Sequence, residues 1–429
     1  MAGQLRVLLV GNGGRENAIA WKLAQSPRIE HIFTVPGNGG TATLSNVTNI
    51  SSIKQEDFPA LVQFAQSENI NLLVPGPEAP LVAGIVDYFE KNAPGIKCFG
   101  PSEAAARMEG SKTFSKDFMK RNNIPTAAYE NFSDYDKARQ YLDSVSHNVV
   151  IKASGLAAGK GVIIPQTKDE AHAALKEIML DREFGTAGDE VVIEEFLEGD
   201  ELSILSFSDG TTIRSLPPAQ DHKRIGDGDT GPNTGGMGTY APTRIAPPDV
   251  IDAIHKDILQ PTVDGMKKEG FPFRGVLFTG LMMTKSGAKT LEYNVRFGDP
   301  ETQSLLALMQ SDLADVMVAC ADGRLADVHV EVGDRSAATV VVAAGGYPGS
   351  YKKGTVMTLD PVPEDVVLFH AGTSFTDNTL KTAGGRVIAS TAVAATLEEA
   401  VAKAYKGVDC IHFEGMQYRK DIAGRALKK

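Results

Sequence analysis

The sequence predicts a multidomain protein of the α/β and α+β classes: an N-terminal parallel sheet, a central mixed unit and a C-terminal α+β domain. Three observations support this prediction. The 429 residues correspond to about three domains at the usual size. Short apolar runs alternate with helical patterns in the first hundred residues, which is typical of a parallel sheet covered on both faces. Further along, longer strands flank a glycine-rich loop, and this different pattern of elements indicates a second type of domain.

Composition and charge exclude several classes of protein. With 42% hydrophobic and 23% charged residues, the chain is neither disordered nor collagen-like. Its net charge of −11 argues against general binding to nucleic acids. The three cysteines lie far apart, which favours reduced thiols over disulfides. No apolar run approaches the ~20 residues of a membrane span. We therefore expect a cytoplasmic, monomeric protein that acts on small molecules and contacts neither nucleic acid nor membrane.

The N-terminal domain is predicted to span residues 1–105 and to be Rossmann-like. Its predicted strands and helices are Leu5–Val10, Glu16–Gln25, His31–Val35, Phe58–Glu68, Asn71–Pro75, Leu81–Lys91 and Ile96–Gly100. Glycine or proline follows the strands, and ligands bind beyond the carboxyl ends of the strands in such sheets. We therefore expect a ligand site at this edge.

The central domain is predicted to span residues 106–327. It begins with a helix over Ser111–Asn122, and a small α+β subdomain occupies residues 126–197. The predicted elements of that subdomain are a hairpin of Val149–Ala153 with Gly161–Pro165, a helix over Asp169–Met179 and a strand over Glu190–Glu195. The remaining elements are strands at Leu202–Ser208, Gly275–Thr284 and Lys289–Arg296, helices at Asp249–Lys268 and Glu301–Ala321, and a loop at Asp221–Pro242. A loop of this length is usually functional or disordered.

The C-terminal domain is predicted to span residues 328–429. Its elements are strands at Ser336–Ala344, Val366–Ala371 and Arg386–Thr391, and a helix at Leu397–Lys406.

A glycine-rich turn follows the first strand and begins the first helix. In Gly11-Asn12-Gly13-Gly14-Arg15-Glu16, helix N-terminal amides and Arg15 favour an anionic ligand such as a phosphate. Two alternatives are a plain tight turn and a dinucleotide site. The dinucleotide site is disfavoured because Glu16 replaces the third glycine and the second strand ends without an acidic residue.

The second glycine-rich loop joins the two strands of the predicted hairpin. Lys152 lies within an apolar strand, where its ammonium group needs an anionic partner, and the loop that follows could cover a polyphosphate. The alternative is a flexible hairpin whose lysine reaches solvent.

Two further segments carry acidic residues in informative positions. Glu194–Glu201 lies between the small subdomain and the rest of the central domain, where it is either a nucleotide-binding hinge or a solvated acidic turn. Glu292, Asn294 and Arg296 share one face of a strand. The first two suit Mg²⁺ and the arginine suits a phosphoryl group, unless this face merely points to solvent.

Taken together and in order, these motifs resemble the ATP-grasp superfamily. The resemblance is carried by Ser111-Lys112, Ile151–Gly155, Glu194-Glu195 and Glu292–Arg296. Within that superfamily the chain is most similar to the phosphoribosylamine–glycine ligase family. That similarity is carried by Gly11–Glu16, Pro36–Asn38, Gly76–Glu78, Gln220–Arg224, Gly231–Gly238 and Arg296–Gln303.

The resemblance implies an ATP-dependent ligase that joins glycine to 5-phosphoribosylamine in purine biosynthesis, through a glycyl phosphate. It implies an ATP-grasp core with the small subdomain as a lid, ATP as co-substrate and Mg²⁺ or Mn²⁺ at Glu292 and Asn294. The implied catalytic residues are Lys152, Arg296 and Asp221. The implied ATP-binding residues are Lys112, Lys152, Ser154, Gly155, Gly159, Lys160, Gly161, Glu194, Glu195, Phe196, Leu197 and Glu201. Phosphoribosylamine is the acceptor of the glycyl group. The residues that the resemblance implies for binding this acceptor are Gly11, Gly13, Gly14, Arg15, Glu16, Asn38, Pro77, Glu78, Lys223, Gly235, Gly236 and Arg296.

One feature departs from the wider superfamily. Several members place another metal-binding carboxylate on the strand before the Glu-x-Asn strand, and Gly275–Thr284 holds none. Rival functions are another ATP-grasp ligase or carboxylase, a dehydrogenase and an inactive nucleotide-binding regulator.

Overall fold

The N-terminal domain is a parallel five-stranded sheet, as predicted. The computed structural model describes residues 3–428. The first elements are β1 (Leu5–Gly11), α1 (Gly14–Leu23), β2 (Ile29–Pro36), β3 (Val47–Asn49), α2 (Phe58–Ser67), β4 (Leu72–Pro75), α3 (Glu78–Val82), α4 (Ile85–Asn92) and β5 (Lys97–Cys98). The strand order is β3-β2-β1-β4-β5, so the carboxyl ends of β1 and β4 are neighbours. Gly84, at φ +88°, separates α3 from α4, where one helix was predicted.

The small subdomain is an antiparallel sheet with two helices on it. Two helices precede it, α5 (Glu103–Gly110) and α6 (Lys112–Arg121). The elements of the subdomain are β6 (Tyr129–Phe132), α7 (Tyr135–Ser144), β7 (Val149–Ala153), β8 (Val162–Ile163), α8 (Lys168–Met179) and β9 (Val191–Glu195). The strand order is β6-β9-β7-β8. Lys152 pairs with Val162, which confirms the predicted hairpin. Ser111 caps α6, because its Oγ accepts a hydrogen bond from Phe114 N.

A second antiparallel sheet forms the larger part of the central domain. The elements are β10 (Asp200–Asp209), β11 (Ile213–Ser215), β12 (Gln220–Asp221), β13 (Arg224–Gly226), β14 (Thr230–Asn233), β15 (Gly238–Ala241), α9 (Pro248–Ile254), α10 (Gln260–Lys268), β16 (Arg274–Thr284) and β17 (Gly287–Asn294). The strand order is β11-β10-β16-β17. A π-helical segment, His255–Leu259, joins α9 to α10, so the helix predicted over Asp249–Lys268 is helical along its whole length.

Two helices, α11 (Glu301–Leu308) and α12 (Leu313–Asp322), precede the C-terminal domain, and α12 packs against β10 and β16. The elements of the C-terminal domain are β18 (Ser336–Ala343), β19 (Thr358–Leu359), β20 (Val366–His370), β21 (Thr373–Thr376), β22 (Thr379–Thr382), β23 (Arg386–Ala394), α13 (Leu397–Val408), β24 (Ile411–His412) and α14 (Gly424–Leu427). The predicted helix Glu301–Ala321 is two helices, because Asp312 lies between them and caps α12.

The predicted loop Asp221–Pro242 is not a loop for most of its length. It contains β12 to β15, and β12 and β15 belong to the C-terminal sheet, whose order is β12-β15-β18-β23-β20. Gly238 pairs with Val340 there, and a side chain at Gly238 would collide with Ile422. The glycine-rich segment therefore satisfies its backbone by pairing with β18, and the sheet crosses the predicted boundary at residues 327/328.

The three units meet around the first turn of α11. This helix packs against α1 of the N-terminal domain and against β15, β18 and β23 of the C-terminal sheet. The segment that precedes it, Arg296–Pro300, therefore lies at the junction of all three units. Within residues 3–428, no helix has the length and apolar character needed to cross a membrane.

Candidate active site

Lys152 is a buried lysine with a buried acidic partner. It is 7% exposed, and its Nζ lies 2.5 Å from Glu194 Oε1 and 3.3 Å from Leu291 O. Burial alone would lower the pKa of Lys152, but Glu194 and Glu292 outweigh it and raise the pKa. This burial excludes the alternative of a lysine that reaches solvent.

Lys116, which the sequence analysis missed, holds the other oxygen of Glu194. Its Nζ lies 2.9 Å from Glu194 Oε2 and 2.6 Å from Thr126 Oγ1. The pKa of Glu194 stays below its usual range, because Lys152 and Lys116 outweigh the effect of burial. Glu194 is therefore a buried anchor for two lysines, which excludes a solvated acidic turn. Its predicted role was contact with ATP at the hinge.

A third lysine, Lys112, lies at the start of α6. We call Lys112, Lys116 and Lys152 together the lysine wall. The Nζ of Lys112 donates to Ala153 O at 3.0 Å and to Gly155 O at 3.2 Å, so it lies against the base of the glycine-rich loop. Burial lowers the pKa of Lys112. Lys112 and Lys152 thus converge on the same side of the cleft.

The hinge leaves the backbone N–H of Leu197 without a partner beside a small buried apolar cluster. Glu195 N donates to Ala128 O and Phe196 N donates to Asn148 O, whereas Leu197 N makes no hydrogen bond within residues 3–428. The cluster consists of Ala127, Leu197 and Met282, and Leu291 packs against it. Apolar side chains beside an unpaired donor suit an adenine ring, which has apolar faces and an acceptor on its edge. Glu201 is half exposed nearby, with Lys223 Nζ at 3.1 Å.

The base of the glycine-rich loop is anchored and its tip is exposed. Ser154 Oγ accepts a hydrogen bond from Thr113 N, and Gly155 N donates to Ala187 O. These two residues were predicted to bind ATP, but the structure assigns these groups to holding the loop. Gly159 and Lys160 belong to the distal part, where Gly159 has φ +77° and Lys160 is exposed, whereas Gly161 is buried at the base, where its carbonyl oxygen accepts from Ala153 N.

Glu292 and Asn294 share one face of β17, as predicted, and Arg296 lies two residues beyond the end of that strand. Tyr293, Val295 and Phe297 are buried on the opposite side. Because Glu292 faces the lysine wall, the alternative of a polar face directed to bulk solvent does not hold. The face therefore lines the cleft.

The donor set on this face fits a divalent cation. Within residues 3–428, the Glu292 carboxylate has no ion pair within 4.0 Å and no hydrogen bond. Asn294 Nδ2 donates to Glu109 Oε1 at 2.9 Å, which leaves its Oδ1 as an acceptor. Burial would raise the pKa of Glu292, but Lys223, Lys152 and Lys112 outweigh it and keep the carboxyl ionised. One carboxylate and one amide oxygen suit Mg²⁺ that takes its other ligands from phosphates.

The neighbouring strand β16 contributes no oxygen ligand to this candidate metal site. Gly280 of β16 pairs with Glu292 and has no side chain to offer. No cluster of three or more His, Cys, Asp or Glu side chains suited to a metal occurs in the described part of the chain. The departure noted in the sequence is thus also visible in the geometry.

Arg296 is held by two carboxylates. Its Nη2 lies 2.8 Å from Glu109 Oε1 and its Nε lies 3.2 Å from Glu78 Oε2. Glu109 is 7% exposed and also accepts a hydrogen bond from Val295 N, so it orients the end of β17. Glu78, predicted to face a ribose, is instead engaged with Arg296. Glu109 was missed because its partners are far away in sequence.

Arg15 is neutralised by its neighbour. Its Nε and Nη2 donate to the two oxygens of Glu16 at 2.8 and 3.2 Å, and its Nη1 donates to Phe297 O. The backbone of Gly11 and Gly76 lies against the Glu16 side chain, where a methyl group would collide. Glu16 therefore fills the space that a pyrophosphate would need. Arg15 is therefore not a free positive charge in this structure, and its predicted contact with a phosphate stays a prediction.

The other predicted N-terminal residues mainly join domains. Asn38 Nδ2 donates to His370 O at 2.8 Å, and its Oδ1 accepts from Gly40 N and Thr41 N, so this amide is fully engaged. Pro77 is the residue before α3. Gly13 and Gly14 pack against the side chains of Asp299 and Gln303.

Asp221 lies against Gly236, one of two adjacent glycines in the segment that was predicted as a loop. Its carboxylate packs on Gly236, and its Oδ1 is buried without a hydrogen-bond partner in the described chain. Burial and the nearby Glu301 raise the pKa of Asp221 well above its usual range. Gly235, the other glycine, packs against the guanidinium of Arg386, a residue that the sequence analysis did not single out.

Three family descriptions match the chain in order. The N, ATP-grasp (A) and C domains of phosphoribosylglycinamide synthetase match residues 5–109, 110–302 and 337–425. The phosphoribosylamine–glycine ligase of Vibrio cholerae is 47% identical over 428 residues and is matched over 99% of both chains. The bifunctional purine biosynthetic protein of Pichia angusta is 60% identical, and this chain spans 54% of its length. The chain thus spans about half the length of the bifunctional relatives it matches.

Solved structures agree with the fold. The phosphoribosylamine–glycine ligase of Thermotoga maritima has a TM-score of 0.81 at 36% identity, with 98% of this chain and 100% of that chain covered. The biotin carboxylase domain of the Hydrogenobacter thermophilus 2-oxoglutarate carboxylase, solved with MgADP and bicarbonate, has a TM-score of 0.76 at 14% identity, with 97% of this chain and 92% of that chain covered. The second likeness shows the fold alone, including an ATP-grasp core.

Proposed function

The chain belongs to the phosphoribosylglycinamide synthetase family, and on that premise we propose that it joins glycine to 5-phosphoribosylamine while it converts ATP to ADP and phosphate. The product is glycinamide ribonucleotide, a purine precursor. The observation that carries the proposal is the cleft in which Lys112 and Lys152 face Glu292 and Asn294, next to the apolar cluster of the hinge. Such a cleft binds a metal–nucleotide triphosphate.

In this proposal, the hinge and the lysine wall position ATP. Leu197 N meets the adenine edge, Glu201 meets the ribose, and Lys112 and Lys152 neutralise phosphate oxygens. Glu292 and Asn294 hold Mg²⁺ or Mn²⁺, which supplies charge neutralisation for the transferred phosphoryl group when bound. The loop tip at Gly159 and Lys160 closes over the phosphates and excludes water, because an acyl phosphate hydrolyses when water reaches it.

The proposed reaction has two steps. A glycine carboxylate oxygen attacks the terminal phosphorus of ATP, and ADP leaves. The amine of phosphoribosylamine then attacks the carbonyl carbon of the glycyl phosphate, and phosphate leaves. The attacking nitrogen must lose a proton, and the Asp221 carboxylate, whose buried Oδ1 has no hydrogen-bond partner in the described chain, is the proposed acceptor. Arg296, fixed by Glu78 and Glu109, presents positive charge to the phosphoryl group.

Lys152→Ala is expected to weaken ATP binding by about 10- to 100-fold, since a hydrogen bond to a charged group is lost. The variant should stay folded, because Glu194 keeps Lys116 as its partner. Calorimetric titration with ATP, next to Lys137→Ala as an exposed lysine control from the same subdomain, measures the effect. Unchanged ATP affinity would remove Lys152 from the nucleotide site.

Alanine is expected to be a poor substrate and not an inert one. Glycine has no side chain to grip, so selection must come from steric exclusion of a methyl group, which is worth ~1–3 kcal/mol, or about 10- to 200-fold in kcat/KM. Competition between glycine and alanine measures the ratio. Equal kcat/KM values for the two amino acids would contradict a steric pocket.

Glycine-dependent ADP release in the presence of freshly made phosphoribosylamine tests the proposed function. We expect ADP only when both substrates are present. Release supported by bicarbonate in place of glycine would favour a carboxylase, and NADH binding would favour a dehydrogenase. Neither activity would be compatible with the proposal. Size-exclusion chromatography tests the proposed monomeric state.

A further inference from the structure

The guanidinium groups of Arg15 and Arg386 lie near Asp299, and Arg296 belongs to the same junction of the three units. In Arg15 and Arg296 each of the three nitrogens already donates a hydrogen bond. Arg15 uses Nε and Nη2 on Glu16 and Nη1 on Phe297 O. Arg296 uses Nε on Glu78, Nη2 on Glu109 and Nη1 on Phe297 O.

Arg386, at the start of β23, is different. Its Nη1 donates to Asp299 O at 2.8 Å and to Gly236 O at 3.3 Å. Its Nε and Nη2 make no hydrogen bond within residues 3–428, and its side chain is 22% exposed. Two parallel N–H donors on one edge of the guanidinium therefore have no partner in the described chain, and they lie beside the backbone of Gly235.

Neighbouring residues hold this guanidinium in place. A methyl group at Gly235 would lie 2.8 Å from Arg386 Cζ, so only glycine lets the backbone cover this face. The Asp299 carboxylate lies 3.8 Å from Nη1 on the other side. The group is therefore pre-oriented, which lowers the entropic cost of binding a ligand to it.

We propose that Arg386 binds the phosphate of the acceptor sugar phosphate, a role that the sequence had suggested for Arg15. This inference rests on the proposed function, because phosphoribosylamine supplies that phosphate. A guanidinium edge with two free N–H groups matches two phosphate oxygens. Arg15 differs, since Glu16 already occupies the corresponding Nε and Nη2 edge in a bidentate pair.

The groups beside Arg386 suit the sugar that would carry this phosphate. Asp299 is an ionised acceptor, since Arg386 and Arg15 outweigh burial and hold its pKa below the usual range. Gln303 is 2% exposed, and its Oε1 has no partner in the described chain although Nε2 donates to Asp299. A buried acceptor without a donor is costly, and a sugar hydroxyl would supply the missing donor. Phosphate and sugar thus have adjacent receptors.

Arg386→Ala should raise the KM for phosphoribosylamine, and the inhibition constant of ribose 5-phosphate, by about 10- to 100-fold. The affinity for ATP, measured without acceptor, should stay at the wild-type value. Ribose, which lacks the phosphate, should inhibit the variant and the wild type to the same degree. Arg335→Ala is the matched control, because Arg335 is an exposed arginine of the same domain, paired only at the surface with Asp365.

The outcomes separate this inference from the proposed function. A wild-type protein that does not consume phosphoribosylamine overturns the proposed function and this inference with it. An active wild type together with an Arg386→Ala variant that keeps the wild-type KM and ribose 5-phosphate inhibition overturns the inference alone. Should the alanine variant fail to fold, Arg386→Gln carries the same test, because its amide can still donate to Asp299 O while the charge is removed.

Discussion

Glu292→Gln is expected to slow the phosphoryl-transfer step by about 10²-fold or more, the scale of losing one pre-organised charge stabiliser. The substitution preserves shape and removes the carboxylate charge. Glu292 is the one carboxylate on the cleft face of β17, and neither β16 nor a nearby cluster in the described chain can replace it. Asn294→Ala removes the second oxygen ligand from the same face, and a loss of similar size should follow.

Rapid-quench measurement of ADP formation, with Mg²⁺ titrated, isolates that step. The rate constant should fall and the Mg²⁺ concentration for half-maximal rate should rise. Glu90→Gln, an exposed carboxylate of α4, is the control and should match the wild type. A folded Glu292→Gln protein with the wild-type rate and metal dependence would end the assignment of Glu292 as a metal ligand.

Arg15→Ala is expected to lower the free energy of unfolding by about 3–5 kcal/mol, because it leaves a buried carboxylate without its partner. Glu16 is 1% exposed and lies over the carboxyl ends of β1 and β4, where Gly11 and Gly76 make room for it. With Arg15 removed, no other cation hydrogen-bonds to Glu16 within residues 3–428. The cost therefore falls on stability.

Urea unfolding, followed by circular dichroism, measures this loss. The double variant Arg15→Met, Glu16→Leu should recover most of it, since replacing both partners of a buried ion pair with apolar groups is often neutral. A single variant with the wild-type unfolding midpoint would show that Glu16 is not buried as a charge. A double variant no more stable than the single one would show that packing, not charge, causes the loss.

The local patterns of the sequence were sufficient for most of the central site. Alternation along Glu292–Phe297 placed three polar side chains on one face, because side chains on a strand alternate in direction. The apolar neighbours of Lys152 predicted its burial in the same way. The parallel sheet of the N-terminal domain followed from short apolar runs between helices.

What the sequence analysis missed depends on partners that are remote in the chain. Lys116 looks like a surface lysine of α6 until Glu194, from β9, is brought against it. Arg386 is held by hydrogen bonds to the carbonyl oxygens of Asp299 and Gly236, which are remote from it in the sequence. β12 and β15 were predicted as loop because their glycine-rich sequence has no apolar alternation, and their strand form is imposed by pairing with β18.

The pairing of Arg15 with Glu16 was missed for a different reason. A glycine-rich turn before a helix usually signals an anion site, and Arg15 seemed to add charge to it. The adjacent Glu16 neutralises that charge in an ion pair, and the Asp299 carboxylate accepts a hydrogen bond from the Arg15 backbone N–H at 3.1 Å. Neighbouring residues in a helix point in different directions, so the Arg15–Glu16 pair depends on the arrangement of side chains at the junction.

The central claim is that glycine is activated as an acyl phosphate in the cleft between the lysine wall and Glu292. Turnover of glycine labelled with heavy oxygen in its carboxylate, with mass analysis of the released phosphate, tests it most directly. The account predicts transfer of one labelled oxygen to each phosphate formed, and only when ATP and phosphoribosylamine are both present. Amide product accompanied by unlabelled phosphate would contradict the account.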